Sequence, residues 1–272
     1  MSSIKGRQLL SCAGLSIALA LSCASQASAH FMWIETDATA HPGSAQSIRL
    51  YFGEYQEFLR EETGGRLDTM DGVTLRVVDP KRAQTDLVLT KKGNHFEGTL
   101  PSCVPGRYAV MAEQRDASVQ DLTKYDMGIV KPMFHARAQF LCFEEGRVGE
   151  REPDGGGHHE LDVIPLTKGL NLAKGTLTYG PGGEIVVRVV FKGAPFASKH
   201  LLVHAPIGWD KELHTDSQGI ASFTPPWPGR YVFEAEHQEK TPGEFRGKPF
   251  EGVRHRGTLA LDVVPEKAME PK

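Results

Sequence analysis

The residues best equipped for chemistry in this chain are its histidines, 11 in 272 residues. His30 has the most to offer. It follows Ala27-Ser28-Ala29, the small-residue pattern of a leader cleavage site, with Lys5 and Arg7 as a positive segment upstream and Leu9 to Leu21 as an apolar one. Cleavage after Ala29 makes His30 the mature N-terminus. A free amine and an imidazole on one residue chelate a transition metal through two nitrogens. Most residues that follow a cleavage site do nothing, so the remaining ligands have to come from elsewhere.

Two other histidines qualify as partners. His237 ends the alternating segment Tyr231-Val-Phe-Glu-Ala-Glu-His237, and His255 opens His255-Arg-Gly-Thr-Leu-Ala-Leu-Asp-Val-Val264. As consecutive antiparallel strands joined through Gln238 to Arg254, the two segments place His237 and His255 side by side. Directly opposed residues have Cβ atoms ~5 Å apart, close enough to share an ion. Either His30, His237 and His255 form one metal site, or the last two are exposed strand-end histidines. His158 and His159 follow Asp154-Gly-Gly-Gly157 and read as a solvated loop, with a secondary metal-scavenging site as the lesser alternative. His200 and His204 share one strand face and read as surface residues. His214 precedes a turn and reads as structural. His135 lies in a strand of the first half, and His41 and His95 neighbour turns. The sequence offers none of these a clear partner.

The elements that must position these groups are β-strands. Ser47 to Phe52, Val73 to Val78 and Glu184 to Phe191 are short, β-branched and bounded by Gly, Pro or Asp. No long stretch carries a helical period. An internal repeat orders them: Pro105-Gly-Arg-Tyr-Ala-Val-Met-Ala-Glu-Gln114 aligns with Pro228-Gly-Arg-Tyr-Val-Phe-Glu-Ala-Glu-His237, with six of ten positions identical. The reading is two tandem immunoglobulin-like or transthyretin-like β-sandwich domains, 30–166 and 167–265, between a leader (1–29) and a disordered tail (266–272). Pro-Gly-Arg-Tyr occurs in both halves and so serves the sandwich. His237 stands where the first half has Gln114, so the fold alone does not demand it.

Removing the leader, which holds two basic residues and no acidic one, takes the formal net charge from −3 to −5. That balance argues against nucleic acid and anionic lipid as partners. After the leader no apolar run approaches the ~20 residues of a spanning helix. The expected location is the periplasm. Cys12 and Cys23 leave with the leader, and Ala20 three places before Cys23 departs from the lipoprotein pattern. Cys103 and Cys142 remain, and in an oxidising compartment an even pair reads most simply as a disulfide. The chain has no Gly-x-Ser-x-Gly elbow, phosphate-binding Gly-Lys-Ser/Thr or His-Glu-x-x-His helix. The expectation is a binding protein and not an enzyme.

Several motifs in order resemble a periplasmic family grouped with nickel and cobalt uptake components, the NikM-like proteins. They are Ala29-His-Phe-Met-Trp33, Leu50-Tyr-Phe-Gly-Glu54, Leu161-Asp-Val-Ile-Pro-Leu166, Phe191-Lys-Gly-Ala-Pro195, Thr215-Asp-Ser-Gln-Gly219 and Gly229 to His237. The resemblance implies export, β-sandwich domains and metal handling, with nickel or cobalt as the ion and a membrane uptake transporter as partner. It carries over His30 and His237. Site chemistry points instead to copper, because an amine with two imidazoles makes the tetragonal nitrogen set that Cu(II) prefers. The leading function is capture of a divalent metal and its delivery to an uptake system. The alternatives are a copper-dependent oxidative enzyme with an N-terminal histidine brace, and an adhesion or scaffold module with incidental histidines.

Overall fold

The computed structural model describes residues 30–144, 159–166, 179–197 and 199–265. The expected leader, residues 167–178 between the halves, the tail and His158 lie outside them. Strands dominate, as expected. The first half contributes β1 (Phe31–Thr36), β2 (Gln46–Glu54), β3 (Thr74–Val78), β4 (Gln84–Leu87), β5 (Phe96–Leu100), β6 (Gly106–Gln114) and β7 (Ile129–Cys142). The second contributes β8 (Leu161–Pro165), β9 (Ile185–Phe191), β10 (His200–His204), β11 (Asp210–His214), β12 (Ile220–Phe223), β13 (Gly229–Glu239) and β14 (Gly252–Val263). Among the described residues helix is confined to three short 3-10 turns.

The halves share one sheet. Its order is β11-β10-β13-β14-β7-β6-β3-β4, and it is joined at the centre by β7 running parallel to β14, from Val130↔Gly252 to Arg137↔Leu259. Two smaller sheets cover it. One contains β1, β2 and β5, and the other contains β8, β9 and β12. Strand alternation decides which face each covers. On β7, Phe134, Ala136, Ala138 and Phe140 join the first core with Met32, Ile34, Ile48 and Leu50. On β14, Leu259, Leu261 and Val263 join the second core with Leu161, Val163, Val187 and Val189. Leu259 lies opposite Arg137, on the β7 face that Phe134 and Ala136 do not use. The two small sheets therefore cover opposite faces of the shared sheet. β8 pairs along its length with β9, so its backbone belongs to the second sandwich, although the sequence reading ended the first domain at 166.

The repeated Pro-Gly-Arg-Tyr makes the same corner twice. Gly106 and Gly229 have φ of 139° and 135°, and a Cβ on either would meet a proline ring carbon, of Pro80 or Pro206, at 2.4 Å. Glycine is required there on both counts. The following tyrosine hydroxyls donate to Val104 O and Trp227 O, four residues upstream in each case. Cys103 and Cys142 form the expected disulfide, with Cα atoms 6.2 Å apart and a sequence separation of 39. Closing a loop of that size stabilises the fold by about 3–4 kcal/mol on chain-entropy grounds.

β1 also crosses onto the second half. Thr258 Oγ1 donates to Met32 O at 2.6 Å, and Phe31 stacks on His204, with ring centroids 5.1 Å apart. His204 is buried, although the sequence reading placed it on the surface. Its Nδ1 and Nε2 lie 2.8 and 2.9 Å from Asp210 and Glu234. Glu234 also accepts from Arg256 Nε at 2.7 Å. Burial opposes the His204 charge, but the two carboxylates outweigh it and raise its pKa from 6.5 to about 9. Burial likewise opposes ionised Glu234, and Arg256 and His204 outweigh it, lowering its pKa from 4.5 to about 2.

The sign of each shift sets a pH window. The His204 contribution is whole below pH 6.5 and is lost as pH rises through about 9. The Glu234 contribution is whole above pH 4.5 and is lost as pH falls toward about 2. Denaturant titrations from about pH 6 to about pH 10 should show an alkaline loss of up to roughly 3 kcal/mol. His204→Gln should abolish that slope. An unchanged alkaline slope in the variant contradicts the assignment.

Candidate metal centre

The structure pairs two of the three expected ligands. His237 lies directly opposite His255 in the β13–β14 register. The two imidazoles meet different neighbours. His237 packs edge-on against Phe191 and Phe196, with centroids 4.6 and 4.9 Å away. His255 is fully buried, and its Nε2 lies 3.1 Å from Glu239 Oε2. Burial lowers the pKa of both rings, which keeps them in the neutral, ligating form.

His30 does not join them. Its carbonyl accepts from Arg256 Nη1 at 3.2 Å. Arg256 and His255 are successive residues on β14, so they point to opposite faces of the sheet. His30 therefore sits on the face away from His255. The groups around its ring include Glu54, 3.0 Å from Nδ1, Glu61 at Nε2, and Arg66 Nη1, 3.1 Å from both nitrogens. The three-histidine site expected from sequence is not assembled, because β1 enters along the wrong face of the shared sheet.

A different cluster forms on the His255 face. β7 runs parallel to β14, so His135 comes beside His255, with stacked rings 5.9 Å apart and 10° between their planes. Glu113 at the end of β6 reaches His135 from one side, and His159, just before β8, reaches it from another. Ligand atoms of Glu113, His135 and His159 all lie within 4.8 Å of one another. His135 Nδ1 is 3.1 Å from Glu113 Oε1, a close imidazole–carboxylate contact.

His159 is prepared as a ligand by its backbone partner. Its Nε2 contacts Ala136 O at 3.3 Å, and only an N–H can donate there. That fixes the tautomer and leaves the Nδ1 lone pair facing Glu113, 3.9 Å away. Burial is the main cause that lowers the His135 pKa to about 4, so its ring is neutral. Burial alone would raise the Glu113 carboxyl. The His135, His159 and Arg115 nitrogens outweigh that effect and hold it well below its ordinary value. The result is a neutral His135 imidazole and an ionised Glu113 carboxylate beside the buried His159 ring.

β8 holds this arrangement in place. Asp162 receives Arg137 bidentately, at 2.8 and 2.6 Å, and both side chains are buried. Gly257 lets β8 approach β14: a Cβ there would meet Leu161 O at 2.8 Å. Two further groupings of metal-ligating residues occur among the described residues. Glu160, Glu239 and His255 adjoin the first cluster. His200, Glu212 and His214 lie exposed on β10 and β11, where His200 and His214 are a cross-strand pair. The sequence suggests for His159 a solvated loop or a secondary metal-scavenging site, for His214 a structural role, and for His135 no clear partner. The sequence signal for His135 and His159 is excess histidine, because the Gly-rich tract separates them and the contact of His135 with His255 crosses the parallel seam.

A family model described as a domain of unknown function, DUF4198, matches residues 27–239. The match covers well over half of the chain, and the chain belongs to that family. The matched stretch includes Glu113, His135, His159 and His237 and stops before His255. It supplies the family and not the nickel and cobalt association that the motifs resemble. No curated protein matches the chain.

The His159 tautomer is directly measurable. Long-range proton–nitrogen NMR of the metal-free protein at about pH 8 should find Nε2 protonated and Nδ1 bare. A proton on Nδ1 contradicts the ligand assignment.

Proposed function

We propose that this is an exported protein that captures a divalent first-row transition-metal ion at Glu113, His135 and His159 and passes it to a membrane uptake system. The observation that carries the reading is the convergence of ligand atoms from two imidazoles and a carboxylate, all within 4.8 Å of one another. Buried polar atoms are costly unless something satisfies them. An ion does so for all three at once. Two nitrogens and one oxygen suit nickel, cobalt, zinc or copper, and copper forms the tightest complexes of the series. Nickel or cobalt as cargo, and the uptake partner, rest on the sequence resemblance.

The copper-brace enzyme loses its structural motive here. A brace needs a second imidazole beside His30, and the fold places His237 and His255 on the other face. Capture without catalysis is the simpler account of a buried site.

Binding of a ligand to the native state alone raises stability by ~2.7 kcal/mol at a hundredfold excess over Kd. Thermal melts with nickel(II), cobalt(II) or copper(II) should show that gain in the parent protein. His135→Ala and His159→Ala should lose most of it. His237→Ala, and one extra residue placed before His30, should retain it. If the His135→Ala and His159→Ala proteins are stabilised as much as the parent, the ion is not at this site.

A further inference from the structure

We infer that Glu160, Glu239 and His255 form a second divalent-metal position beside the first, so that the seam holds a pair of ions. The inference rests on the capture site proposed above and adds to it. Ligand atoms of the three residues lie within 4.8 Å of one another. His255 is buried and its Nδ1 has no hydrogen-bond partner, which is an observation independent of the carboxylates. Such a nitrogen is tolerated where ring orientation serves another purpose, here holding Nε2 toward Glu239.

Three links join the two positions. His159 of the first and Glu160 of the second are consecutive residues. The rings of His135 and His255 stack with centroids 5.9 Å apart. Arg115 bridges both sets, with Nε 2.7 Å from Glu113 and Nη1 3.0 Å from Glu160. Lys192 pairs with Glu239 at 2.8 Å. Arg115 and Lys192 are each about half exposed, so both can swing outward when ions replace them as counter-charges to the carboxylates. The donor sets differ. The first position has two imidazoles and one carboxylate, and the second has one imidazole and two carboxylates. The second is the harder site and should fill after the first.

The test uses the exported full-length protein carrying His200→Ala, which removes the exposed cluster and touches neither position. It is loaded with two equivalents of copper(II) and examined by electron paramagnetic resonance. A coupled pair gives a half-field signal. That signal should be present in this protein and absent when His135→Ala or His255→Ala is added, each leaving one mononuclear copper signal. Glu239→Gln, which keeps the side-chain shape, should also remove the half-field signal, and circular dichroism confirms that each variant is folded. A single mononuclear signal that His135→Ala removes overturns the pair and leaves the first position standing. Spectra unchanged by any of the substitutions overturn both.

Discussion

The arrangement of the seam depends on one buried ion pair, Arg137 with Asp162. Burial alone would raise the Asp162 carboxyl, and Arg137 outweighs it and holds it well below its ordinary value. Such a pair adds little net stability compared with an apolar contact, but removing one partner strands a charge and costs about 3–5 kcal/mol. Its value here is positional. It fixes β8 to the β7 face that the first sandwich leaves uncovered, and so fixes His159 and Glu160 over His135, Glu113 and His255. A shift of β8 by one residue would turn Asp162 away from Arg137 and carry both ligating residues out of place.

The shared sheet explains why a site can exist there at all. Each small sheet covers one half of one face. The polar residues of β7, β13 and β14 gather where the cover ends. On one face this leaves His204, Glu234 and Arg256 beneath Phe31, a network whose members satisfy one another. On the other it leaves Glu113, His135, His159 and His255, where His135 Nε2 and His255 Nδ1 have no hydrogen-bond partner. Two polar clusters of similar burial differ in this respect, and the difference separates a structural network from a candidate ligand set.

Much of the scaffold was legible in the sequence. Period-two alternation and β-branched runs located the strands, and the Pro-Gly-Arg-Tyr repeat marked the two equivalent corners at Gly106 and Gly229. The cysteine count identified the disulfide. The consecutive strands around His237 and His255 gave their pairing. The ligand set was not legible, for two physical reasons. His135 and His255 meet through a parallel pairing between strands some 120 residues apart, and local pattern carries no information about such a partner. His30 was misassigned because alternation puts Arg256, and not His255, on the face that β1 crosses. A strand's chemistry reverses with each residue, so placing the N-terminus near β14 was not enough to place it near the histidines.

The most direct test of the account is anomalous diffraction at the metal edge from crystals of the nickel-loaded protein. The predicted result is a peak about 2.1 Å from His159 Nδ1, with a His135 ring nitrogen and a Glu113 carboxylate oxygen completing the shell. A peak found only at His30, or only between the exposed His200 and His214, would contradict it.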